Sequence, residues 1–266
     1  MNLFYRKAGN GSPLIILHGL YGSSDNWITI GNKLAETHTV FMADLRNHGH
    51  SPHSDSHTFN DLKNDLFQFM DRHHLHKATL LGHSMGGKTA LWFAAEYPEK
   101  VERLVIADIA PKDYFTLNEN SQYYLHRNIL LAMLEIDFSA IQSREEVNDR
   151  LSEKIDDAPI RSFLLKNLVR DRDNHRLKWR LNVKALYEHL DEIVGGVNPR
   201  WFEDRIPIFS YPIHFIRGLK SIYILDEDIR LIKGIYPDAK ITGIPGTGHW
   251  LHAEKPEDFI RAVLDK

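Results

Sequence analysis

Residues Gly82 to Thr89 read G-H-S-M-G-G-K-T, an octet that satisfies two catalytic patterns at once. Read as G-x-x-x-x-G-K-[ST], it is a phosphate-binding loop. Backbone N–H groups would cradle phosphates, Lys88 would supply a cation and the Thr89 hydroxyl would hold magnesium. Its first five residues also read G-x-S-x-G, which sets Ser84 in a tight turn between strand and helix, exposed for attack on an acyl carbon. Both patterns need a strand before and a helix after, so local structure does not choose between them.

The rest of the chain does. A phosphate loop needs an acidic residue at another strand end for its metal, and Asp44 or Asp108 is on offer. A serine hydroxyl instead needs a base within hydrogen-bond reach. "IPGTGHWLHAEKPEDF" supplies one, His249, in a glycine-flanked loop near the C-terminus. "LHGLYGS" follows an early apolar strand, and the N–H of its Leu20, with that of Met85 directly after the serine, would form an oxyanion hole. A phosphate loop needs neither element. In the serine reading, Gly82 and Gly86 occupy the crowded places on either side of the nucleophile, and Lys88 becomes a surface residue one turn into the helix.

These groups need a scaffold whose strand ends converge. "PLIILH" (13–18), "TVFMADL" (39–45), "KATLLGH" (77–83) and "VERLVIADI" (101–109) are short apolar runs suited to buried parallel strands. Helical patterns separate them, one over about 24–36 and another with Phe59, Leu62, Leu66, Phe69 and Met70 on one face. The alternation predicts an α/β fold, a mostly parallel central sheet with helices on both faces and ligands at the carboxyl ends of the strands. From Lys112 to Arg205 no strand run stands out. Ser143 with Glu146 has capping-box spacing, Pro159 suits a helix start, and "VKALYEHLDEIVGG" ends on a glycine pair. The expectation is a core of residues 1–111 and 206–266 with a helical lid inserted at 112–205.

Composition narrows the function. A net charge of −3 without long runs of one sign gives no sign of a general nucleic-acid or membrane-surface binder. The absence of cysteine removes a thiol nucleophile and a Cys zinc site. His48, His50, His53 and His57 cluster among Gly, Ser and Pro and read as a polar loop, so neither metal nor cofactor is expected. "MNLFYRKAGNGSP" has no apolar core of a signal peptide, and no run is long enough to span a bilayer, so a cytoplasmic protein without stable membrane insertion is expected.

"LHGLYGSSDNW", "DLRNHGHSP", "GHSMGGKTA", "ERLVIADIAP" and "GTGHWLHAEKP" together resemble the α/β-hydrolase superfamily. More narrowly they are similar to bacterial YbfF-type esterases and the mitochondrial abhydrolase-domain proteins. The resemblance covers most of the chain outside the lid, where only "LKWRLNV" carries it. It implies hydrolysis of small-molecule carboxylic esters, with acyl-CoA thioesters as a further class. In many such proteins the triad acid follows the strand after the lid. Here that strand ends "FIRG", the corresponding slot holds Ser221, and Asp226 comes only at an apparent helix start. Asp108, ending the apolar run "LVIAD", is poorly explained by packing, and similar esterases use an acid at this place. Ser84, His249 and Asp108 are therefore the expected triad, with Asp226 as the alternative acid. The resemblance also implies that "RG-x-x-S-x-Y" lines the pocket, making Ser221 and Tyr223 substrate-site candidates.

Among the remaining histidines, His18 reads as structural, His83 as holding the turn, and His252 as lying within the following helix. A carbon–carbon bond hydrolase or a cofactor-free perhydrolase could use the same triad. A nucleotide-binding protein working through Lys88 and a non-catalytic binding protein on this fold are the rivals from other classes.

Overall fold

The computed structural model describes residues 1–114, 121–197 and 203–265; residues 115–120 and 198–202 of the expected insertion, and Lys266, lie outside the described residues. The strands are β1 (Tyr5–Ala8), β2 (Ser12–Leu17), β3 (His38–Ala43), β4 (Ala78–His83), β5 (Val101–Ala107), β6 (Leu168–Arg170), β7 (Leu177–Trp179), β8 (Ile213–Gly218) and β9 (Lys240–Ile244). Seven of them form one sheet in the order β1-β3-β2-β4-β5-β8-β9. All its pairs are parallel except β1 with β3.

Alternation along the strands divides the core between the two faces of the sheet. Ile15, Leu17, Leu80, Leu104 and Ile106 pack on one side with α2 (Phe59–Arg72), α3 (Met85–Glu96) and α9 (Asp228–Ile235). Leu14, Ile16, Leu81 and Val105 pack on the other with α1 (Ile28–Leu34), α10 (Leu251–Glu254) and α11 (Pro256–Leu264). Full burial of each such side chain is worth roughly 1.5–3 kcal/mol relative to exposure. The α2 start is fixed by reciprocal bonds, Asp61 N–H to Thr58 Oγ1 at 3.1 Å and Thr58 N–H to Asp61 Oδ2 at 3.2 Å.

Between β5 and β8 the chain leaves the sheet as α4 (Ser121–Leu134), α5 (Arg144–Ser152), α6 (Ala158–Leu165), the antiparallel β6–β7 ribbon, α7 (Val183–Glu188) and α8 (Leu190–Gly195). Ser143 caps α5 by accepting the Glu146 N–H at 3.1 Å, and Asp157 caps α6 through the Ile160 N–H at 2.9 Å. The ribbon corrects the expectation that this stretch lacks strands. Its strands are three residues each, too short to show an alternating pattern. The chain runs from β2 outward to β3 and then back across to β4, so the order reverses between β2 and β4. A crevice opens at the carboxyl ends of strands at such a point, and the loops carrying Leu20 and Ser84 leave from there.

Candidate active site

Ser84 lies between β4 and α3 with φ 51° and ψ −117°, a region non-glycine residues rarely occupy. The turn is held by the Ser84 N–H bonding to Ala107 O at 3.1 Å and the Lys88 N–H bonding to Ser84 O at 2.9 Å. Backbone and side chains crowd it. A Cβ on Gly86 would lie 2.2 Å from Leu17 O, where only glycine fits, and one on Gly19 would lie 2.8 Å from His83 Nδ1 and 3.2 Å from the Ser84 Cβ. Leu20, the next residue, lines the same cavity as Ser84. Met85 is the first residue of α3. Among the described residues neither the Leu20 nor the Met85 N–H donates to an acceptor of the chain. Both amides are therefore available to a developing oxyanion.

Asp108 follows β5 directly, fully buried, with φ 50°. Its Oδ1 accepts the Gly218 N–H at 3.0 Å. Its Oδ2 accepts the Ser221 hydroxyl and, at 2.8 Å, the Nδ1–H of His249. His249 sits in the loop after β9, and its carbonyl accepts from His83 Nε2 at 2.8 Å, which ties that loop to the residue before the nucleophile. Asp226, the alternative acid, is 88 % exposed and pairs with Arg217. Its neighbour Asp228 is buried, takes Lys112 Nζ at 2.7 and 2.6 Å, and caps the Leu225 N–H at 2.8 Å.

Ser84 and His249 open onto a cavity of about 270 Å³. Leu125 and Ile129 of α4, Ile160 and Phe163 of α6, and Trp250 make its wall largely apolar. Ser221 and Tyr223, expected at the substrate, also line it, but both bond inward: Ser221 to Asp108, and Tyr223 through its hydroxyl to Gln122 Oε1 at 2.6 Å. The other histidines nearby are uncharged. Desolvation holds His126 and His252 to about 3 and His83 well below its ordinary value. His252 stacks on Trp27, centroids 4.4 Å apart, so that tryptophan is core and not pocket. His18 accepts the Leu45 N–H on Nε2 at 2.9 Å and donates from Nδ1 to Gly19 O at 2.8 Å, which joins two loops of the site. Arg46 pairs with Asp65 at 2.6 and 3.0 Å, while Asp44 accepts the N–H groups of Ser24 and His50 at 2.6 and 2.7 Å.

Lys88 departs from expectation. It is not on the surface but 4 % exposed, its Nζ donating to Ile193 O at 2.8 Å and Val194 O at 3.0 Å at the end of α8. The covering helix arrives from a hundred residues further on, which no local pattern reveals. A usable signal was the lone cation in "MGGKTALWFAAE", a helix otherwise apolar nearly all round. Its ammonium is committed to these carbonyls and lies over the Tyr114 ring at 4.9 Å, which leaves the phosphate-loop reading without its cation.

Desolvation lowers Lys88 to about 7, with Asp113 acting weakly in the other direction. Between about pH 7 and its ordinary value of 10.5 the unfolded chain then binds a proton that the folded one does not. Stability from this residue should rise with pH through that window. Thermal unfolding of wild type and Lys88→Met from pH 6 to 10 is expected to show wild type gaining on the variant by a few kcal/mol, the order of magnitude of such a shift. A pH-independent difference would mean that Lys88 stays charged in the fold.

A family model described as the alpha/beta hydrolase fold matches residues 12–128. The chain is 33 % identical to Esterase YbfF of Escherichia coli over 96 % of its own length and 92 % of that protein. It is 35 % identical to the sn-1-specific diacylglycerol lipase ABHD11 of Danio rerio, over 96 % of this chain and 78 % of that one. Among solved structures, one described as a marine microorganism esterase superposes with TM-score 0.92 at 45 % identity, covering 99 % of this chain and 98 % of the other.

Proposed function

The chain belongs to the α/β-hydrolase family, and from that premise we propose that it hydrolyses carboxylic esters through a Ser84–His249–Asp108 triad. The observation that carries the proposal is the 2.8 Å bond from His249 to a carboxylate with no exposure, at the lip of an apolar cavity that also presents Ser84. Similarity to proteins named esterase and diacylglycerol lipase supports the reaction class.

In the proposed mechanism His249 takes the Ser84 proton as Oγ attacks the acyl carbon. The Leu20 and Met85 N–H groups receive the oxyanion, aided by the N-terminus of α3. Collapse expels the alcohol, protonated by His249, and leaves an acyl-enzyme that water, deprotonated by the same imidazole, then cleaves. Asp108, holding three donors, keeps the proton on Nδ1 of His249 and leaves Nε2 free to act as the base toward Ser84. The helices between β5 and β8 serve as the lid, with α4 and α6 forming the wall for the acyl chain.

The cavity also bounds the substrate. A cavity of about 270 Å³ walled by Leu125, Ile129, Ile160 and Phe163 suits a short to medium acyl chain better than a long one. On p-nitrophenyl esters from acetate to palmitate, kcat/KM should peak at about four to eight acyl carbons and fall at least ~10-fold for palmitate. A maximum at palmitate would place the chain outside this cavity. Oxygen esters and thioesters of one acyl group, compared in the same assay, decide the leaving group. Treatment with a fluorophosphonate should add one adduct, mapped to the Ser84 peptide; a fully active enzyme left unmodified would count against a serine nucleophile.

A further inference from the structure

The ring of Tyr223 lies on the face of the His249 imidazole, centroids 3.9 Å apart and planes 20° from parallel. Its position is held from three directions. Its N–H donates to Ser221 Oγ at 3.2 Å, the hydroxyl that bonds Asp108. Its carbonyl accepts the Tyr114 hydroxyl at 2.6 Å, which in turn accepts the Ala110 N–H at 2.8 Å. Its own hydroxyl donates to Gln122 Oε1 on α4 at 2.6 Å. So much anchoring is unneeded for a residue that only fills a pocket wall. It holds an electron-rich π face against a ring that becomes a cation when it accepts the Ser84 proton.

We propose that Tyr223 is a positioning residue of the reaction, its ring stabilising the charged form of His249 and its hydroxyl tying that stack to helix α4. The inference rests on the triad reading above and adds a role to it. Through Gln122, the helix that presents Leu125 and Ile129 to the acyl chain also steadies the base. Lid and base thus share one contact.

The consequences for pH are specific, because few groups around His249 titrate with it. Asp108 faces it from the end of β5, His83 from β4, and His126 from α4, while α10 brings His252 and Glu254, whose Oε2 accepts the N–H of the adjacent Gly248 at 2.9 Å, and Lys220 lines the cavity. The three histidines are held neutral by burial. Lys88, brought to about 7, charges in the same range, but it is common to every variant compared, so its effect cancels in differences. Without the π face the imidazolium is harder to form. The acid limb of kcat/KM should therefore move to lower pH even as the plateau rate falls. A general loosening of the site lowers the rate without moving the limb in that direction.

The test is the pH profile of kcat/KM for wild type, Tyr223→Phe, Tyr223→Leu, and protein carrying progressively fluorinated phenylalanines at 223. Fluorination drains the π face at nearly constant shape, so that series stays informative even where Tyr223→Leu folds poorly. Tyr223→Phe is expected to keep the wild-type acid limb. Tyr223→Leu should lose about threefold to tenfold in kcat, with its limb lower by roughly half a pH unit, and the fluorinated series should descend in steps. An acid limb unchanged across the fluorinated series would overturn the proposal. Fluorophosphonate labelling of wild type, run alongside, separates the two possible failures. A Ser84 adduct with an invariant limb removes only the role of Tyr223; no adduct on active enzyme removes the triad, and this role with it.

Discussion

Ser84→Ala is expected to lower kcat by ~10⁶ and to abolish fluorophosphonate labelling, while leaving the protein folded. The size of the loss follows from how a triad works. Without Oγ, His249 has no proton to take and no acyl-enzyme forms, and only the oxyanion donors and substrate binding remain, worth a residual ~10³–10⁴ over water. The fold should tolerate the change because the turn is made by the backbone, through Ser84 N–H to Ala107 O and Lys88 N–H to Ser84 O. Alanine does not relieve the strain, since φ stays at 51°. Ser84→Gly should relieve it, because glycine occupies that region without a steric penalty. The glycine variant should therefore melt above the alanine variant while both are inactive. Residual activity of a few per cent in Ser84→Ala, after exclusion of contaminating esterase, would mean that another group attacks the substrate.

Legibility of this molecule in its sequence follows the range over which each feature is decided. The parallel strands could be read because Leu14 to Leu17 and Leu104 to Ala107 carry apolar side chains to both faces of a covered sheet, an uninterrupted local signal. β1 could not, because "YRKA" has no such pattern and becomes a strand only by pairing antiparallel with β3 at the sheet edge. At the site, Asp108 stood out as a carboxylate closing an apolar run, and His249 as an imidazole between a glycine and the last helices. Who touches them was hidden. Ser221 reaches Asp108 across 113 residues, and Lys88 meets α8 across 105, each through a loop or helix end whose path is settled only by tertiary packing. Tyr223, named in the sequence as a pocket candidate, lines the cavity, but its stack on His249 depends on the Tyr114 and Gln122 bonds that aim it.

Asp108→Asn is expected to cost ~10⁴ in kcat, and Asp226→Asn to leave the rate within about twofold of wild type. The bonding around Asp108 explains why one atom matters so much. All three groups facing its carboxylate donate: the Gly218 N–H, the Ser221 hydroxyl and the Nδ1–H of His249. An asparagine can satisfy Gly218 only by turning its carbonyl oxygen to that amide, which directs its NH₂ group at Ser221 and His249. Ser221 adapts, because a hydroxyl can accept as readily as donate. His249 can accept on Nδ1 only by moving its proton to Nε2, where it faces Ser84 as a donor and can no longer serve as the base. The predicted loss is therefore one of tautomer, with substrate binding retained, and KM should change far less than kcat. Ser221→Ala removes one donor and leaves the carboxylate bonded to Gly218 and His249, so its cost should be much smaller, about tenfold, the scale of a hydrogen bond to a charged group. Asp226 is paired with Arg217 at the surface, while the Nδ1 of His249 is already bonded to Asp108. Steady-state kinetics on these three variants give a steep order, Asp108→Asn far below Ser221→Ala and Asp226→Asn near wild type. If Asp226→Asn fell by orders of magnitude while Asp108→Asn stayed near wild type, the acid would have to reach His249 from the β8 loop, and the buried carboxylate at the end of β5 would have to be structural.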